Sequence, residues 1–283
     1  LVDAGHDVIG VNRSREAVDR HVQHGGRAAG SIAEAVTEAD VVITMVPDSP
    51  DVEGAAYGDD GIYGNAKPET LHIDCSSIRP DVARQLAEAG SERGLRVIDA
   101  PVSGGQAGAV EANLSIMVGG ADSDVERARP LLEKMGKTVV HVGPAGSGQT
   151  VKAANQLIVA GHLQLLAEAI VFLEAHNVDT DAAIKVLGGG LAGSTVLDRK
   201  AASMLQRTFD PGFRVDLHHK DLGIVTSSAR AAGVAIPLGA QLAELMGSLR
   251  SQGHGQLDHS ALLMLVEQLS GRASNAPTQN LEA

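Results

Sequence analysis

Lys152, Asn155 and Gln156 lie at spacings of three and four inside a long apolar stretch. On a helix that spacing puts them on one face. A cation and two amides in such surroundings need partners or a wet cleft. An ammonium held there can give a proton to an oxygen as negative charge grows on it. Read alone, the same lysine is a side chain snorkelling from a helix end. A second group is Ser103-Gly104-Gly105, closing the run Asp99-Ala-Pro-Val-Ser-Gly-Gly105. Amides around consecutive glycines can converge on an anion, and Ser103 adds a hydroxyl, so the segment suits a carboxylate. Without other support it is a glycine-rich turn.

Three further groups follow apolar runs that read as strands. Asn12, Arg13 and Ser14 come after Asp7–Val11. In a dinucleotide-binding sheet this position meets the ribose, and a guanidinium there can pair with a 2′-phosphate, favouring NADP over NAD. The plain alternative is a solvated turn. Val46 and Pro47 end the next run, as a wall for adenosine or nicotinamide or as a simple strand stop. Ser76 and Ser77 follow Asp74-Cys75, as cofactor contacts or as helix caps. Farther on, His218-His-Lys220-Asp221 has Asp216 nearby but no second ligand cluster, so no metal is expected. Lys220 reads instead as a cation directed toward a cleft between two domains. His254 and His259 read as capping or interface residues in a mobile loop before the last helix.

The elements that must place these groups change character near residue 144. Before it, apolar strands at 7–11, 41–46, 70–74, 96–100, 114–118 and 138–142 alternate with helices, including 80–93 and 121–135. That alternation predicts a parallel sheet covered on both faces, with ligands beyond the strands' carboxyl ends. Ser31-Ile-Ala-Glu34 has capping-box spacing, and Ser49 before Pro50 is expected to cap another helix. From about Gly148 to Ala175 one long helix is predicted, apolar on nearly all sides and so largely buried. Helices are expected at 181–187, from Ser194 or Thr195 to 207, and at 221–233, 237–249 and 258–269. The fold class is therefore α/β, a Rossmann-type domain over 1–143, then an all-helical domain over 144–272 and a polar tail at 273–283.

The chain's 283 residues suit two domains. With aromatics at 2%, the cores must be aliphatic. A net charge of -12 argues against a general nucleic-acid binder. A single cysteine, Cys75, rules out an intrachain disulfide and any CxxC metal site. Gly161, His162, Gln164 and Glu168 interrupt the longest apolar run, which makes it a poor membrane span. A soluble cytoplasmic protein without membrane partners is expected.

Together, Asp99–Gly105, Leu114-Ser-Ile-Met-Val-Gly-Gly120, Gly146-x-Gly-x-x-x-Lys152-x-x-Asn155 and Lys220-Asp221 resemble the β-hydroxyacid dehydrogenase family. The match runs to about Leu269, and several separated motifs in order make chance a weak explanation. The resemblance implies NAD(P)-dependent reduction of a small three-carbon semialdehyde. In the branch that matches best this is tartronate semialdehyde, with 3-hydroxyisobutyrate oxidation as the enzymatic alternative. It implies that Lys152 is the catalytic lysine, and that Asn155, Gln156 and Ser103–Gly105 bind substrate. It places Ser77 near the nicotinamide and Lys220 on cofactor or substrate. It also implies a homodimer or homotetramer built through the helical domain. The family opens with a strand and a Gly-x-Gly-x-x-Gly loop, whereas Leu1-Val-Asp-Ala-Gly5 matches the end of the helix after that loop. The expectation is that a strand, the loop and two helical turns, roughly 20 residues, precede Leu1. The rival expectation is a non-catalytic oligomeric relative that binds dinucleotide badly.

Overall fold

The computed structural model describes residues 1–272; the tail expected at 273–283 lies outside the described residues. The chain divides into two compact units, Leu1–Lys152 and the residues from Ala153 onward.

The first unit runs β1 (Ile9–Gly10), α1 (Arg15–Gln23), β2 (Arg27–Ala28), α2 (Ile32–Val36), β3 (Val41–Thr44), α3 (Ser49–Tyr57), α4 (Ile62–Asn65) and β4 (Leu71–Asp74). It continues α5 (Pro80–Ser91), β5 (Arg96–Asp99), β6 (Val102–Ser103), α6 (Gly105–Val110), β7 (Leu114–Gly119), α7 (Asp122–Leu132) and β8 (Gly136–Gly143). Among the described residues β1 pairs only with β2, in parallel. β3, β4 and β5 form the expected parallel array, with Val41, Leu71 and Arg96 in register. Beyond β5 the sheet is mixed: β7 runs antiparallel to β5 and β6, while β8 returns parallel to β7. Only Ala100-Pro101 separate β5 from β6, and ten residues separate β6 from β7. Neither span suits the crossover of a dozen or more residues that a parallel pair needs.

Side chains alternate across the sheet, so neighbours enter different cores. Val97 packs with Val52, Ala56, Tyr63 and Leu86 beneath α3, α4 and α5. Ile98 packs with Ile73, Ile116, Val118 and the α7 residues Val125 and Leu132. Both clusters are aliphatic apart from Tyr63 and Cys75, in keeping with the low aromatic content.

Two helix starts in the first unit differ from expectation. Asp48 caps α3, forming a reciprocal box with Asp51, while Ser49 is buried inside the first turn. The Asp48 carboxylate is the stronger acceptor for the exposed amides. At α2, Ser31 Oγ accepts from the Glu34 amide at 3.1 Å, but the Glu34 carboxylate reaches the Gly30 amide at 2.6 Å rather than that of Ser31.

α8 (Ser147–Ala175) is the predicted long helix. The second unit adds α9 (Thr180–Gly188), α10 (Thr195–Leu205), α11 (Val215–Ala231), α12 (Pro237–Leu249) and α13 (Leu262–Leu269). Ser194 caps α10 through the Leu197 amide. Ala160, Leu163, Ala167 and Ile170 of α8 are the spine of its core, packed with Met204, Leu222, Met246 and Leu263. α8 has the length and hydropathy of a membrane span, yet these residues face protein. It is not buried all round, however. Val151, Ile158, Leu165 and Phe172 are exposed at intervals of seven. α11 begins six residues earlier than expected, which puts His218, Lys220 and Asp221 on one helix. The segment before α13 is packed rather than open. Asp258 and His259 are buried, and the Asp258 carboxylate accepts from Lys200, the Gly212 and Phe213 amides and Ser260.

Candidate active site

The start of α8 is built onto the ends of β5 and β4. The Asp99 carboxylate, at the carboxyl end of β5, accepts from the Gly146 amide at 2.7 Å and the Gln149 amide at 2.9 Å. It thus serves amides that have no partner inside the helix and sits at its positive end. Burial pushes the Asp99 carboxyl above its ordinary range, and these amides pull it back. Gln149 is buried one turn before Lys152; it accepts from the Ile78 amide and donates to the Ser76 carbonyl. The close approach requires glycine. A Cβ at Gly148 would stand 2.3 Å from the Met117 carbonyl oxygen and 2.8 Å from an Asp99 oxygen.

This anchorage places Lys152, 8% exposed, with Nζ donating at 2.8 Å to the carbonyl oxygen of Val102. The ammonium therefore stands at the residue before Ser103. Ser103 ends β6, paired with Ser115, and the chain then turns through Gly104 at φ 138° and Gly105 at φ 66°. Both angles are left-handed values that favour glycine. A cation at a fixed carbonyl beside a glycine turn and a hydroxyl can pair a proton donor with a carboxylate seat.

Asn155 and Gln156 follow one turn along α8, in the second unit. Gln156, expected to touch substrate, is 5% exposed; its Nε2 donates to Asp221 Oδ2 at 2.5 Å and its Oε1 accepts from Asn155 Nδ2 at 2.8 Å. Lys220 Nζ lies 2.8 Å from Asp221 Oδ1. His218 approaches the Gln156 main-chain carbonyl at 3.1 Å through Nε2 and His259 Nδ1 at 2.9 Å through Nδ1. Asp216 turns instead to Arg250 and Gln256.

Of the residues expected on the cofactor, Arg13 is 85% exposed in its side chain and only 3.8 Å from Asp51 at the nearest. Such a contact holds a guanidinium weakly. Asn12 Oδ1 accepts from the Ser14 amide, and Ser14 Oγ caps α1 through the Ala17 amide. Their remaining N–H and O–H donors, with Arg13, fit a ribose phosphate. Pro47 and Met45 are exposed and Val46 half-buried at the end of β3, an apolar shelf suited to a flat ring. Ser77 is half-buried. Ser76 departs from expectation: it is fully buried, and its Oγ accepts from the Val46 amide. It braces the loop after β3 rather than facing a ligand. These groups therefore fit a dinucleotide in kind, with Ser76 as internal support.

A buried polar chain behind these strand ends escaped the sequence reading. Tyr63 Oη meets His72 Nδ1, His72 Nε2 meets Thr44 Oγ1, and Thr44 Oγ1 donates to Asp74 Oδ1 at 2.7 Å. Burial lowers His72 to about 4 and raises Asp74 to about 6. It also pushes the Cys75 thiol up to about 12, which leaves it inert as a nucleophile. No periodicity announces this chain, since its members sit on three separate elements. Gln149 was accessible to reading, because it precedes Lys152 by the same spacing of three that joined Lys152 to Asn155.

Comparison with known proteins adds the following. Residues 1–143 match the family model described as the NAD binding domain of 6-phosphogluconate dehydrogenase. Residues 146–266 match the NAD-binding model of NADP-dependent 3-hydroxyisobutyrate dehydrogenase. The chain is 41% identical over 244 residues to 2-hydroxy-3-oxopropionate reductase of Escherichia coli K12, covering 86% of this chain and 83% of that one. It is 36% identical to NAD-dependent L-serine dehydrogenase of Pseudomonas aeruginosa, covering 96% and 94%. Its structure resembles Mycobacterium tuberculosis 3-hydroxyisobutyrate dehydrogenase with L-serine, at a TM-score of 0.85 and 35% identity, covering 94% and 92%.

Proposed function

The chain belongs to the β-hydroxyacid dehydrogenase family of oxidoreductases that use NAD or NADP, and we propose that it reduces tartronate semialdehyde (2-hydroxy-3-oxopropionate) to D-glycerate. The observation that carries the chemistry is the 2.8 Å contact of Lys152 Nζ with the Val102 carbonyl, beside Ser103. The substrate reading is supported by the 41% identity to a reductase of that compound.

Bound NAD(P)H supplies the hydride. Asn12, Arg13 and Ser14 would hold its ribose end, Val46 and Pro47 would flank it, and Ser77 and Lys220 would serve its reactive end. Lys152 gives a proton to the aldehyde oxygen as charge develops there. The Ser103, Gly104 and Gly105 segment holds the substrate carboxylate, which sets the distance between reacting atoms. Asn155 orients the substrate from the next turn of α8.

The test is nicotinamide oxidation with tartronate semialdehyde, methylmalonate semialdehyde and, in reverse, L-serine and 3-hydroxyisobutyrate. The highest kcat/KM is expected for tartronate semialdehyde. A higher value for either of the methyl-bearing compounds makes this a 3-hydroxyisobutyrate dehydrogenase. Arg13→Ala should raise KM for NADPH and leave that for NADH; equal effects on both would remove the 2′-phosphate role.

The protein assembles with copies of itself through the helical unit. Support comes from Ile158, Leu165 and Phe172, exposed along α8, and from a groove of about 650 Å³ beside them lined by Leu165, Ala169, Phe172 and Val266. Glu168, Ser270 and Arg272 also line the groove, and exposed apolar groups bordered by polar ones are a common mark of association.

A further inference from the structure

Gln156 and Asp221 do more than fill the interior of the helical unit. Asp221 is 2% exposed and, as a carboxylate beside the Lys220 ammonium, can only accept hydrogen bonds. Gln156 must therefore turn its NH2 group toward Asp221, at 2.5 Å. That choice leaves Gln156 Oε1 as an acceptor on the other side. Asn155 must then turn its own NH2 group inward, at 2.8 Å. One charge thus dictates the orientation of two amides in series, each otherwise able to flip. α11 also grips the Gln156 backbone, since His218, one turn before Asp221, approaches the Gln156 carbonyl.

From this network we infer that Gln156 and Asp221 are positioning residues that present Asn155 Oδ1 as an acceptor to substrate, selecting a substrate that carries a hydroxyl. The inference rests on the proposed role of Asn155 in substrate binding. An acceptor oxygen is matched by an O–H group, and repelled by a carboxylate or a bare carbonyl oxygen. The 2-hydroxyl of tartronate semialdehyde supplies that donor; the methyl of methylmalonate semialdehyde does not. A site built around a hydroxyl leaves its acceptor unpaired with the analogue that lacks one.

Two measurements test this. In the wild-type protein kcat/KM should favour tartronate over methylmalonate semialdehyde by at least about tenfold. Gln156→Met, close in volume but without the amide, should reduce that ratio to within about threefold, the residue of one lost hydrogen bond. KM for the nicotinamide cofactor should not move. Asp221→Asn should shift the ratio in the same direction. Equal losses on both substrates would make Gln156 merely structural and overturn the inference. The second measurement needs no turnover. In ¹H–¹⁵N spectra an Asn155 Nδ2 proton, assigned by its loss in Asn155→Asp, should exchange slowly with solvent in wild type and rapidly in Gln156→Met. Retained protection in a protein that reduces neither semialdehyde would support the relay and remove the substrate reading. Fast exchange in wild type would remove the relay itself.

Discussion

At the scale of single residues, Lys152 Nζ donates to the main-chain carbonyl of Val102 beside Ser103. Lys152→Ala is expected to lower kcat by about 10²–10⁴ with KM for the nicotinamide cofactor little changed. Steady-state kinetics check this, and a kcat near wild type would end the general-acid role. Asp74 gives a prediction on pH. Its carboxyl is pushed up to about 6 by burial, from an ordinary value of 3.8. Between those values the folded chain holds a proton that the unfolded chain has lost. The contribution is thus fully present below about pH 4 and lost as pH rises through 6. That rise from 3.8 to about 6 corresponds to on the order of 3 kcal/mol. Asp74→Asn should therefore gain stability over wild type at pH 8 and little at pH 4.5, measured by urea unfolding. His72, lowered to about 4, acts with the opposite sign, losing stability as pH falls below 6.5. A wild-type and Asp74→Asn difference independent of pH would show that Asp74 carries no buried charge.

At the scale of elements, the start of α8 is where sheet chemistry and helix chemistry meet. Asp99 holds the first turn, Gln149 ties it to the loop after β4, and Gly148 lets the backbone close in. A methyl at Gly148 would force the turn away from Met117 and Asp99. Gly148→Ala should destabilise the fold by about 1–3 kcal/mol, the usual cost of overpacking. It should also lower kcat at least tenfold, because a shift of about 1 Å in the lysine matters that much. Thermal unfolding and kinetics on the same preparation check both effects. A loss of stability with unchanged kcat would separate the turn from the function of Lys152.

At the scale of the whole molecule, α8 contributes both a core face and an exposed apolar edge. Leu165→Glu, in the groove, should convert the proposed oligomer to smaller species by analytical ultracentrifugation, with helix content unchanged by circular dichroism. A wild-type monomer, or an unaltered oligomer in the variant, would remove association through this edge.

What the sequence determined by itself was local and periodic. The alternation of strands and helices, the aliphatic cores, the long helix and the spacing of Lys152, Asn155 and Gln156 all follow from rules that act over a few residues. The glycines at 104 and 105 announced a turn because only that backbone needs them. The tertiary structure decided what each polar group faces. Ser76 and Gln156 became internal braces because burial left them partners on other elements, some 30 and 65 residues away. Asp99 became a clamp on a helix that begins about 50 residues later. The reversal at β7 and the exposed edge of α8 belong to the same class. A polar side chain carries its bonding capacity in its own atoms, but its partner is chosen by packing between distant segments, and no local pattern records that choice.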